Sequence, residues 1–211
     1  MRITGGDFGG RTLKVPKSDA IRPTQDRVRE ALFNMIQFEV PGCDFLDLFA
    51  GSGAVGLEAL SRGARSSTFV ESNRRHFSVL GENVGMLSRP VQRHHASDTR
   101  QQTSNCVCAD VYGWIASYSG PGFSIAFADP PYALGEEKGY ASVLATLAER
   151  GVVRPGGLFI AEMTAVQKAE ETPLWELVRD RKYGKTRLCI WRRASQDTGK
   201  EAEVQEGADV R

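Results

Sequence analysis

The chain has 211 residues, 41% of them apolar and 25% charged, with a formal net charge of +1. That composition supports one domain with a sizeable core. It excludes a membrane-spanning class, because no apolar run approaches the ~18 residues a span needs. The near-neutral total averages unlike regions: residues 1–29 hold seven bases against three acids, and residues 194–211 hold five acids against two bases.

The four cysteines, Cys43, Cys106, Cys108 and Cys189, form no C-x-x-C pair. Most lie in apolar strand-like runs and read as buried reduced thiols, not zinc ligands or a disulfide framework. Met1 to Lys17 is glycine-rich and basic, with no signal-peptide pattern, so a cytoplasmic protein is expected.

In chain order, Arg2-Ile3-Thr4 and Arg11 to Val15 predict a small β-hairpin around a glycine-rich turn. It forms a basic appendage over residues 1–20, offering Arg2, Arg11 and Lys14 to a phosphate backbone. An edge hairpin without a ligand is the alternative. Thr24 is placed to cap a helix running to about Glu39, with Val28, Ala31, Leu32, Met35 and Ile36 as one apolar stripe. Arg22, Arg27 and Arg29 at its start either contact RNA or are solvated.

The apolar run Phe45 to Phe49 predicts a buried strand, followed by the small-residue turn Ala50-Gly51-Ser52-Gly53 and a helix that Gly63 closes. Strand, glycine turn and helix open a βαβ unit and make a cofactor site, since glycine lets a ligand approach and the helix start offers free N–H groups. Gly51, Gly53 and Gly56 also satisfy G-x-G-x-x-G, a weak dinucleotide signal. Asp47 argues against a pyrophosphate, which would meet a like charge. S-adenosylmethionine (SAM) carries an ammonium and a sulfonium and no phosphate, so the acid with the glycine turn favours SAM over NAD. Asp47, Phe49, Ala50, Gly51, Ser52 and Gly53 are therefore candidate cofactor contacts.

Thr68 to Glu71 predicts the second strand. Glu71 lies 20 residues past Gly51, the separation at which an acid accepts ribose hydroxyls in Rossmann folds. The next helix shows Phe77, Leu80, Val84 and Leu87 on one face. Ser88 to Ser104 is polar and is expected to be a loop, with His94-His95 solvated and not metal-binding. Asn105 to Ala109 is the third strand. Asp110 ends it, as an acceptor for an adenine amine, as a cap for the helix near Val111, or as both.

Phe123 to Phe127 leads into Ala128-Asp129-Pro130-Pro131-Tyr132 at the carboxyl end of a fourth strand, the edge where ligands bind in open α/β sheets. Two prolines leave carbonyls that only accept, which suits holding an exocyclic amine. Tyr132 gives a face on which an extruded base can stack, a contact worth ~1–3 kcal/mol. A helix from Tyr140 to about Arg150 follows. Pro155-Gly156-Gly157 turns into a fifth strand, Leu158 to Glu162. Trp175 to Arg181 and Arg187 to Trp191 flank a Tyr183-Gly184-Lys185 turn, a hairpin that completes the sheet with an antiparallel strand. Residues 194–211 read as an acidic disordered tail.

The acidic glycine turn with the strand-end D-P-P-Y resembles the class I SAM-dependent methyltransferases of exocyclic amino groups. The match is closer still: Arg22 through Asn34, the opening Arg2-Ile3-Thr4-Gly5-Gly6 with Gly10-Arg11, and Asp47 through Gly63 resemble the RsmD family of 16S ribosomal RNA guanine-N2 methyltransferases. The longer 88–104 segment departs from the family pattern. The resemblance implies a Rossmann-like, mostly parallel seven-stranded sheet over 21–193. It implies SAM as cofactor and 16S rRNA or a small-subunit assembly particle as partner. Thr24 then sits in the segment that closes over the methionine end. Asp129, Pro130, Pro131 and Tyr132 hold a flipped guanine. No metal and no membrane is expected, and a monomer is, since no oligomerisation signal is visible. The rivals are an adenine-N6 or other amino-methyltransferase of DNA or RNA, a non-catalytic SAM/RNA-binding module, and a nicotinamide oxidoreductase.

Overall fold

The computed structural model describes residues 1–16, 23–87, 102–130, 140–170 and 172–195. Seven strands form one sheet: β1 (Asp44–Leu48), β2 (Ser66–Glu71), β3 (Thr103–Cys108), β4 (Phe123–Ala128), β5 (Val153–Thr164), β6 (Trp175–Tyr183) and β7 (Thr186–Arg193). Their order is β3-β2-β1-β4-β5-β7-β6. The pairs from β3 to β5 are parallel, and β7 pairs antiparallel with both β5 and β6. This is the mostly parallel sheet with an antiparallel strand near the C-terminus expected of the Rossmann-like class I methyltransferase fold.

Among the described residues five helices flank it: α1 (Pro23–Met35), α2 (Ala54–Ser61), α3 (Arg74–Leu87), α4 (Val111–Ser117) and α5 (Ala141–Glu149). Alternation along each strand sorts side chains to two faces. Phe45, Phe69 and Phe127 meet α1, α2 and α3 through Leu32, Phe33, Leu57 and Leu80. Leu46, Leu48, Val70 and Ala128 meet α4 and α5 through Ile115, Leu144 and Leu147. A sheet covered on both faces needs apolar strands on both faces, and β4 is buried at every position.

The structure corrects several expectations. The N-terminal hairpin is one antiparallel bridge, Arg2 to Thr12, and not two strands. Its Ile3, Phe8 and Leu13 are buried in the core cluster shared with α1, α2 and α3. Helix α1 begins at Pro23, the helical position where a missing N–H costs nothing, so Thr24 lies inside the first turn and is not the cap. The helix ends at Met35, short of Glu39, and continues only as turns. Pro155-Gly156-Gly157 is not a turn before β5. It lies within that strand as a bulge, where pairing steps from Phe123–Val153 to Ile125–Leu158. Strand β3 begins at Thr103, inside the segment expected as loop. Cys43 and Cys189 are buried thiols, with burial pushing them up to about 12 and about 11, but Cys108 is exposed. Residues 88–101, with His94-His95, and the tail beyond Ser195 lie outside the described residues.

Candidate active site

Strand β1 runs into Phe49, a non-glycine residue at φ 59°. The left-handed conformation costs roughly 1–3 kcal/mol and persists where surrounding packing enforces it. Here the Phe49 ring stands edge-on to Tyr112, with centroids 5.8 Å apart. The chain then closes a tight turn, Gly53 N–H donating to the Ala50 carbonyl at 2.7 Å. Gly53 enters α2 at φ 80°, and a Cβ there would lie 2.4 Å from Leu80 Cδ1. At Gly56 a Cβ would meet Phe69 Cε1 at 2.3 Å and Ser67 Oγ at 2.5 Å, so this glycine lets α2 lie against β2.

Three carboxylates stand near one another at this edge, on three adjacent strands or just past their ends. Asp47 pairs with Phe69 on β2 and Phe127 on β4. Glu71 and Asp129 each follow those partners by two residues, which returns them to the same face one level higher. Asp47 is buried, and its Oδ2 accepts from Gly56 N at 2.8 Å. Burial pushes its carboxyl up to about 8 against the Gly56 hydrogen bond, with Asp129 and Glu71 adding repulsion. Glu71 Oε2 accepts from Gly51 N at 2.8 Å and Oε1 from Asn73 N at 2.7 Å. The Gly51 N–H that a pyrophosphate would use is thus directed at a carboxylate. The objection to a dinucleotide at this N–H therefore rests on Glu71, not on Asp47, whose buried carboxyl holds its proton at neutral pH.

Asp110 caps α4, its Oδ1 accepting from Gly113 N at 2.8 Å. On the α4–α5 side of the same edge, Phe49, Val111, Tyr112, Ala128, Pro130 and Tyr140 line a shallow depression. The Tyr140 hydroxyl donates to the Glu162 carbonyl at 3.0 Å. Burial, and secondarily the Asp129 charge, raise its titration well above the usual tyrosine range, so it stays a donor. An apolar, aromatic depression beside an acidic rim fits a flat heterocycle linked to a cationic group, the chemistry of SAM. Among the described residues no group of three or more His, Cys, Asp or Glu is placed to hold a metal. None of their helices is long and apolar enough to cross a membrane.

The proposed base-holding residues divide. Asp129 is exposed at the strand end and Pro130 is buried behind it. Pro131 and Tyr132 lie outside the described residues, as does Arg22. The basic set also divides. Arg2 and Arg27 are exposed. Arg11 donates to the Met86 carbonyl at 3.1 Å and lies over the Phe8 ring at 5.1 Å, and Lys14 meets Glu82 at 2.5 Å, so both lie along α3.

Arg29 is a correction: it is 5% exposed, too deep to face RNA. Its guanidinium meets Glu58 at 3.3 Å, Asp26 at 3.0 Å and the Arg2 carbonyl. Burying a guanidinium requires such partners.

Two supporting residues escaped the sequence reading. Glu58 is fully buried and accepts from Thr4 N and Thr4 Oγ1 at 2.7 Å, from Arg62 at 2.8 Å and from Arg29. Its signal was a lone carboxylate in the otherwise small and apolar helix Ala54–Ser61. Asn83, also fully buried, donates to the Ser52 carbonyl at 2.8 Å and to the Lys14 carbonyl at 3.0 Å, and accepts from Lys14 N. It joins the glycine turn to the N-terminal segment across α3, and nothing in its sequence neighbourhood marks it.

A family model described as conserved hypothetical protein 95 matches residues 1–192. The chain is 34% identical over 199 residues to ribosomal RNA small subunit methyltransferase D of Escherichia coli, covering 93% of this chain and 91% of that one. It is similar to the solved structure of the yhhF protein of Escherichia coli, with TM-score 0.77, 31% identity and coverage of 93% and 99%. At 17% identity and TM-score 0.60 it shares its fold with a structure complexed with SAH, covering 82% of this chain and 50% of that one.

Proposed function

The chain belongs to the RsmD family, and from that membership we propose that it transfers a methyl group from SAM to the exocyclic N2 amine of a guanine in 16S rRNA of the small subunit. The observation that carries the proposal is the acidic, glycine-turn strand edge that ends in Asp129-Pro130, within a chain matched over almost its whole length to a small-subunit rRNA methyltransferase. Bound SAM supplies an electrophilic methyl on a sulfonium and departs as S-adenosylhomocysteine.

The chain's own residues do the rest. The backbone from Ala50 to Gly53 and the Phe49–Tyr112 depression seat the cofactor. Glu71 takes ribose hydroxyls, and Asp110 takes the adenine amine while capping α4. Thr24, in the first turn of α1, lies over the methionine end. Asp47, ionised when a cation sits above it, joins Glu71 in favouring the sulfonium. Asp129 and the Pro130 carbonyl accept from the guanine 2-amino group and aim its lone pair at the methyl carbon, while Tyr132 stacks on the flipped base and Pro131 holds the backbone rigid. Guanine N2 is a weak base, so positioning and charge supply most of the acceleration. Asp129 takes the departing proton late, after the N–C bond forms. Arg2, Arg11, Lys14, Arg22 and Arg27 meet the RNA backbone. The enzyme works as a cytoplasmic monomer on free rRNA or an assembly particle.

The test is methyl transfer from labelled SAM to small ribosomal subunits lacking the modification, with the product nucleoside identified by mass spectrometry. N2-methylguanosine in 16S RNA is the expected product. Methyladenosine, or methylation of DNA alone, overturns the base assignment and leaves the cofactor standing. Bound SAM without transfer to any nucleic acid overturns the enzyme.

A further inference from the structure

The β6–β7 hairpin is unusually basic. Between Glu176 and Arg187 it carries Arg179, Arg181, Lys182, Lys185 and Arg187 against Glu176 and Asp180. One pair is internally satisfied: Arg187 meets Asp180 through two nitrogens, at 2.7 Å and 2.5 Å. Arg181, Lys182 and Lys185 are exposed and form no salt bridge among the described residues.

Topology sets this charge beside the reactive edge. Strand β6 is antiparallel to β7, and β7 is antiparallel to β5, so β6 runs with β5 and β4. Its carboxyl end and the Tyr183–Thr186 turn therefore lie at the same edge as Asp129. Register gives the height. Ala128 is level with Ala161, Cys189 and Asp180 across the sheet. The turn lies three residues beyond that level, about 10 Å at the usual strand rise. Three strand spacings separate β4 from β6, about 14 Å. That span corresponds to roughly four nucleotides at the ~3.4 Å axial rise of one strand. Lys168, exposed in the adjoining turn after β5, adds a further cation to this corner. The Lys185 carbonyl accepts from Ala165 N at 2.9 Å, which holds the two turns together.

We propose that the tip of the β6–β7 hairpin, through Arg181, Lys182 and Lys185, is a second RNA-backbone contact that grips the strand a few nucleotides from the base held at Asp129. The inference rests on the RNA-methyltransferase reading given above. Unlike the N-terminal basic residues, these cations stand on the sheet itself, on the far side of β4 from the glycine turn. An RNA strand crossing the site is then held on both flanks, which fixes the target nucleotide over the cofactor.

The decisive comparison is K182Q/K185Q against R150Q/R154Q, which removes the same charge from exposed residues at the opposite, amino-terminal end of β5. Binding of each protein to 16S RNA is measured from low to moderate salt, with steady-state methylation and SAM affinity alongside. We expect the hairpin variant to raise KM for RNA by about tenfold, with kcat and SAM affinity unchanged. Its log K against log salt slope should flatten by about 1.4, two contacts at ~0.7 each. The control variant should match wild type. Equal behaviour of the two variants, with methylation intact, overturns the hairpin contact and leaves the function standing. Loss of the RNA salt slope in the hairpin variant, from a wild type that transfers no methyl group, keeps the contact and overturns the enzymatic reading.

Discussion

Gly51 N donates to Glu71 Oε2 at 2.8 Å, joining the glycine turn after β1 to the end of β2 across 20 residues of sequence. One carboxylate thus shapes the glycine turn and is the group proposed to take the ribose hydroxyls. Glu71→Ala should raise the SAM Kd by roughly 10- to 100-fold, since hydrogen bonds to a charged group are worth ~1.5–3 kcal/mol. Glu71→Gln should fall between. Isothermal titration decides it, and an unchanged Kd in the alanine variant removes Glu71 from the cofactor site.

Asp129 should separate binding from turnover. Asp129→Ala is expected to keep SAM affinity within a few-fold and lower kcat by at least ~10²-fold, the usual scale for a positioned polar group at the reacting centre. Single-turnover methylation at saturating SAM and RNA reads this directly. Wild-type turnover in the variant rules out the amine-holding role.

The Asp47 carboxyl binds its proton more tightly in the folded chain than in the unfolded one, pushed up to about 8 first by its burial and then by the charges of Asp129 and Glu71. Between pH 4 and that value the native state therefore holds the extra proton, and stability declines as pH rises through the window. Asp47→Asn should flatten the decline, measured as urea midpoints from pH 5 to 8.5. Cation binding should also expel the proton, so SAM affinity in the wild type should rise with pH up to about 8. A wild-type urea midpoint that climbs over this window contradicts the assignment.

Glu58 carries the N-terminal segment, α1 and α2 on one carboxylate. Glu58→Ala leaves the Arg29 guanidinium buried beside only Asp26 and the Arg2 carbonyl. Breaking a buried pair in this way costs about 3–5 kcal/mol. Chemical denaturation should show that loss, and a cost under 1 kcal/mol would mean Arg29 finds water.

Gly56 has no room for a methyl group. Gly56→Ala drives a Cβ to within 2.3 Å of Phe69. Overpacking of this kind costs about 1–3 kcal/mol. Thermal unfolding checks the stability, and SAM titration should show a weaker complex because α2 carries the Gly56 N–H that Asp47 accepts.

Where the residues themselves carry the information, sequence reading located the structure. The apolar runs at β1, β2 and β4, the α3 stripe of Phe77, Leu80, Val84 and Leu87, and the C-terminal hairpin all follow from periodicity, because burial on one or two faces leaves a local pattern. Asp110 shows a cap as plainly in sequence as in space. The acidic glycine turn and the D-P-P-Y motif identify the edge, and the spacing of several motifs identifies the family, since each is a short segment whose chemistry is complete within itself.

Tertiary structure alone decided which charges are available. Arg29 and Arg27 are two residues apart and look alike in the chain, yet one is buried on Glu58 and the other faces solvent. The partner that separates them is 29 residues away. The same holds for the N-terminal segment, which reads as a free hairpin and is instead packed by Ile3, Phe8 and Leu13 into the core. It holds too for Asp47, whose proton affinity is raised first by its burial in the packed fold and then by two acids that the parallel register of three strands brings near it. A local pattern fixes where a backbone goes, but the free energy of a charge depends on everything within a few ångströms, and most of those atoms are distant in sequence.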